Sequence, residues 1–70
     1  MKTLYDVQQL LKQFGIYVYV GKRLFDIELM KLELARLYDN GLVERDQYLQ
    51  AELILRREHC LELKKEEKNE

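Results

Sequence analysis

Three glycines and no proline punctuate this chain of 70 residues, and they leave it few ways to fold. Proline is the strongest helix breaker, so in its absence the marked stops are the glycines at 15, 21 and 41. The stretches between them are rich in leucine, and 47% of all residues are hydrophobic against 36% charged, a composition that reads as helix with few turns. A length of 70 residues holds one small domain and excludes a second, because a chain this short buries only roughly 60% of the surface it exposes when unfolded.

Thr3 and Asp6 have the spacing of a helix N-cap, the hydroxyl accepting a first-turn N–H while the carboxylate complements the dipole. Leu4, Val7, Leu10, Leu11 and Phe14 then form one apolar stripe, and Gly15 supplies the left-handed residue that ends the helix, so the first helix is expected over 4–14. Ile16-Tyr17-Val18-Tyr19-Val20 is β-branched or aromatic throughout but has no strand to pair with, which makes 16–21 an extended connector. Its period of two sends Ile16, Val18 and Val20 one way and Tyr17 and Tyr19 the other.

A second helix runs from about Arg23 to Asn40, where Asn40-Gly41 stops it. It carries two stripes: Ile27, Met30, Leu34, Leu37 and Tyr38 on one side, and Phe25, Leu29 and Leu32 on another. Such a helix touches two neighbours, or one neighbour and a second protomer. A third helix is expected over about 45–65, with Tyr48, Ala51 and Leu55 on one face, Leu49, Leu53 and Cys60 on another, and Ile54 and Leu61 apart from both. The short link between helices 2 and 3 makes them an antiparallel hairpin. The expected fold is therefore all-α, a three-helix bundle with helix 1 laid across that hairpin, spanning residues 1–65 and followed by a charged, frayed tail at 66–70.

Most chemistries lack their ingredients. His59 is the one histidine and an ordinary helix residue, and Cys60 beside it reads as a small apolar filler. There is no Cys-x-x-Cys, no His-x-x-x-His and no serine, and the glycines lie too far apart to cradle a phosphate. Paired carboxylates such as Glu28 and Glu33 fit a solvated face. The chain is expected to be no enzyme, to hold no metal or cofactor, and to offer no site for a small-molecule substrate. One cysteine cannot form an internal disulfide, which suits a reducing, cytoplasmic setting. No signal peptide is recognisable, and the longest run free of charges and amides, 14–21, falls well short of the roughly 20 residues that span a membrane.

The formal net charge of −1 hides an uneven distribution. Residues 1–25 hold Lys2, Lys12, Lys22 and Arg23 against Asp6 alone, a net +3, while the remainder has eight cations and twelve carboxylates, a net −4. This basic first third also holds five of the seven aromatic residues. Tyr5, Gln8, Gln9 and Lys12 share the face of helix 1 opposite its apolar stripe. If Tyr17 and Tyr19 project outward, with Lys22 and Arg23 opening helix 2, rings and cations come together in a surface suited to single-stranded RNA or DNA. The bland alternative has the two tyrosines capping the core. Arg56 and Arg57 could extend the patch, but Glu52 and Glu58 lie close enough to pair with them. A competing reading starts from surplus apolar surface: a protein partner or a second copy would bury Phe25, Leu29 and Leu32, or Ile54 and Leu61.

At Leu4-Tyr5-Asp6-Val7-Gln8-Gln9-Leu10-Leu11-Lys12, then Gly21-x-Arg23-Leu24-x-Asp26-Ile27-Glu28-Leu29-Met30, and finally Leu53-Ile54-Leu55-Arg56-x-Glu58, the chain closely resembles the YqgQ-like family of short bacterial cytosolic proteins. The resemblance covers about residues 1–60. It implies a three-helix all-α domain without a catalytic motif, and it suggests single-stranded nucleic acid binding for the fold. Tyr5, Lys12 and Arg23 are the basic and aromatic positions it carries over, whereas Tyr17, Tyr19 and Lys22 rest on the charge and aromatic pattern alone. Residues 37–48 also resemble the helical hairpin of the short C-terminal bacterial domains called SHOCT, which supports the hairpin and adds nothing on function.

Overall fold

The structure, a computed structural model, describes residues 1–68. It has three helices, α1 (Leu4–Lys12), α2 (Arg23–Asp39) and α3 (Arg45–Lys68), and the described residues form no strand. Thr3 caps α1 as its spacing implies. Its Oγ1 accepts the Asp6 N–H at 3.4 Å, and the Asp6 carboxylate accepts the N–H groups of Lys2 and Thr3 at 2.8 and 3.0 Å. These bonds, that from Lys2 foremost, hold the Asp6 carboxyl below the usual carboxylate range.

Helix α1 ends two residues earlier than its apolar stripe suggests. Gly15 takes φ 75°, the Ile16 N–H reaches back to the Leu11 carbonyl at 3.1 Å, and the Gly15 N–H bonds Lys12 at 3.0 Å. This paired closure satisfies the last carbonyls but unwinds residues 13–15, so Phe14 leaves the stripe and stands exposed. The same closure recurs at Gly41, where the Leu42 N–H bonds the Leu37 carbonyl at 2.9 Å. Helices α2 and α3 then run antiparallel: the rings of Tyr38 and Tyr48 stack at 4.2 Å beside the turn, while Arg23, at the far end of α2, meets Glu58 and Glu62. Burial, with Glu52 beside it, pushes the Tyr48 phenol above its ordinary value.

The core sits where the three helices meet. Val7, Leu10 and Leu11 of α1, Ile27, Met30 and Leu34 of α2, and Ala51 and Leu55 of α3 are buried together, each large side chain contributing about 1.5–3 kcal/mol. Val43 in the hairpin turn joins them, and Ile16 and Val18 pack against the cluster from the connector.

Three expectations about α3 need correction. Ile54, set apart above as an interface candidate, is only 7% exposed and belongs to the core, because the segment leading into α1 lies beside it: Arg57 donates to the Lys2 carbonyl at 3.1 Å one turn further on. Conversely Leu49, Leu53 and Cys60 are exposed, so Cys60 is no apolar filler; α1 and α2 cover one side of α3 and leave the other bare. Helix α3 also continues to Lys68 rather than stopping near 65, and the frayed end expected for the tail lies, at residues 69–70, outside the described residues. At 24 residues it is about 36 Å long and accounts for the elongated shape, 41 Å in its longest extent.

Candidate nucleic-acid interface

The connector leaves Gly15 and passes beside α1, and a groove of about 350 Å³ opens between them. Gln8, Leu11 and Lys12 line it from α1, and residues 16–19 line it from the connector. The alternation expected of an extended segment holds over these four. Ile16 and Val18 are half-buried against the core, whereas Tyr17 is 73% and Tyr19 88% exposed, so the reading in which the tyrosines cap the core fails. Val20 breaks the pattern and is exposed, because the Asp26 carboxylate in the first turn of α2 accepts its N–H at 2.6 Å and ends the extended run there.

Four of the candidate binding residues therefore meet in one place: Gln8, Lys12, Tyr17 and Tyr19. Tyr5 is exposed on the same face of α1 as Gln8 and Lys12 but does not line the groove. Lys22 and Arg23 are drawn elsewhere. The Lys22 ammonium lies 5.4 Å from the centre of the Phe25 ring, and the Arg23 guanidinium reaches Glu62 at 3.4 Å and Glu58 at 3.8 Å. Half-exposed ion pairs of this kind are worth little in stability, but they occupy the charge that a phosphate would need. Lys12 is left as the cation of the groove, and no carboxylate lines it.

The arginine pair of α3 does not extend this surface. Arg56 pairs with Glu52 at 3.0 Å as the spacing suggests, while Arg57 turns to the Lys2 carbonyl and leaves Glu58 to Arg23. A cross-helix contact invisible in the sequence joins His59 Nε2 to Glu28 at 3.3 Å. A second groove, of about 460 Å³, is lined by Val20, Phe25, Glu28, Leu29 and Leu32. It follows the second stripe of α2, so the surplus apolar surface expected there is real, and Leu61 on α3 is exposed as well. Among the described residues no three His, Cys, Asp or Glu side chains come together as a metal site, and no helix is long and apolar enough to cross a membrane.

Comparison with known proteins matches residues 1–61 to the family model described as YqgQ-like. A protein of Bacillus subtilis (strain 168) described as uncharacterized protein YqgQ is 52% identical over 58 residues, which is 83% of this chain and 82% of the relative. The family match takes in α1, the connector, α2 and more than half of α3, and with them every residue that lines the groove.

Proposed function

The chain belongs to the YqgQ-like family, and for this member we propose a small binding module, not an enzyme, that holds single-stranded nucleic acid in the groove between α1 and the connector. The observation that carries this reading is the pair of bare rings, Tyr17 and Tyr19, in a groove whose one charged side chain is Lys12. Unpaired bases stack on such rings with about 1–3 kcal/mol each, and an ammonium beside them meets the phosphate between bases. Gln8 offers both a donor and an acceptor to a base edge. A reducing, cytoplasmic setting agrees with a lone exposed thiol at Cys60.

Fluorescence anisotropy with a labelled single-stranded oligonucleotide over a salt series tests the proposal. Binding is expected at low salt, with log K falling as salt rises by about 0.7 per phosphate contact. Lys12→Ala should flatten that slope by about one contact, whereas Arg23→Ala, already held by two glutamates, should change affinity less than twofold. Absence of binding at low salt would overturn the reading. One observation favours a second reading, a protein docked on α2: Phe25, Leu29 and Leu32 stand exposed in a row along the second groove.

A further inference from the structure

Resting on the nucleic-acid reading, we propose that Tyr17 and Tyr19 form a two-walled slot that takes one unpaired base between their rings, rather than a platform that takes one base on each. Their spacing sets the width of the slot. Residues i and i+2 of an extended segment project to the same side, and at about 3.3 Å of rise per residue their side chains stand about 6.6 Å apart. A flat base needs close to 3.5 Å of van der Waals separation on each of its two faces, about 7 Å in all. The slot therefore fits one aromatic layer and is too narrow for two.

The exposure of the rings separates the two geometries. A tyrosine lying flat as a platform hides one face against the protein. At 73% and 88% exposed, Tyr17 and Tyr19 instead stand clear of the surface. Nor do they collapse on each other: the stacked aromatic pair among the described residues is Tyr38 with Tyr48. Lys12 and Gln8 line the groove beside the slot, which puts an ammonium at hand for a phosphate of the captured nucleotide and an amide at hand for its base edge. The ligand class is thus a strand with at least one unstacked base, recognised by that base and one adjoining phosphate.

The test uses the full chain and three 12-nucleotide deoxy strands: all thymine, all abasic, and abasic with one central 2-aminopurine, whose fluorescence falls when it stacks. With a two-walled slot, the single-base strand binds about tenfold tighter than the abasic one and its fluorescence is quenched. Tyr17→Leu alone and Tyr19→Leu alone should each cost that strand about fivefold or more, while Tyr17→Phe and Tyr19→Phe keep its affinity. On a platform a lone base can use either ring, so neither single leucine variant would cost more than about twofold; that result overturns the slot. A single-base strand bound no tighter than the abasic one also overturns it, and leaves the nucleic-acid reading standing if all-thymine binds. If no strand binds at low salt, the nucleic-acid reading falls and the slot with it.

Discussion

At Thr3 and Asp6 the local chemistry is complete within the five residues Lys2 to Asp6, which is why it is legible in the chain: a hydroxyl, a carboxylate and the free N–H groups at the helix start need nothing from elsewhere. The cap also sets a pH dependence. The folded carboxyl of Asp6 lies below its ordinary value of 3.8, so the unfolded chain takes up the proton first as pH falls. Its contribution is fully present above that value and is lost as pH drops through the lower folded one. An Asp6→Asn variant should therefore melt below the wild type by a constant margin between about pH 5 and 8, with the margin shrinking once pH falls below the ordinary carboxylate range; thermal melts across pH measure it. A margin that grew on acidification would reverse the assignment. Arg23 shows the opposite case. Its basic side chain near Lys22 looked free for a phosphate, but its partners Glu58 and Glu62 lie in α3, and only the hairpin brings them close.

The elements are legible in existence and type because each depends on periodicity, and their ends are not, because each end depends on a bond to a backbone N–H. Phe14 continues the apolar spacing of α1, yet the bond from Ile16 N–H to Leu11 unwinds the chain before it. Val20 continues the alternation of the connector, yet Asp26 captures its N–H. Between those two fixed points the connector keeps its period of two, and the groove exists because of it. Gly15 is the hinge of this arrangement. At φ 75° a Cβ would meet no neighbouring atom but would strain the backbone, so Gly15→Ala should destabilise by about 1–2 kcal/mol without a clash to relieve. Urea unfolding should show a lower midpoint with an unchanged slope. If α1 instead extended through Phe14 in the variant, oligonucleotide affinity would fall along with stability, since Tyr17 and Tyr19 would shift relative to Lys12.

At the scale of the whole molecule, what could not be read was which apolar faces three helices manage to cover. Adjacent residues of α3 met opposite fates: Ile54 is buried beside the segment entering α1, and Leu53, one position earlier, is 64% exposed. On α2 the outer stripe of Phe25, Leu29 and Leu32 is bare for the same reason, since the buried positions Ile27, Met30, Leu34 and Leu37 already take up α1 and α3. That stripe could serve a second copy of the chain only if it supplied enough area. A stable interface buries about 800 Å² on each partner, roughly 20–30 residues a side, and the stripe offers three half-exposed side chains with Val20 beside them. The chain should therefore be a monomer of 8.5 kDa in light scattering at tens of micromolar. Leu29→Asp should leave that mass unchanged and lower the thermal melt only modestly, because the side chain it replaces is 39% exposed and lies outside the buried core. A species of twice the mass that Leu29→Asp returns to monomer would instead make the stripe a self-association surface. It would also require residues beyond the stripe to contribute, and the exposed Leu61 and Leu63 of α3 would be the next to replace.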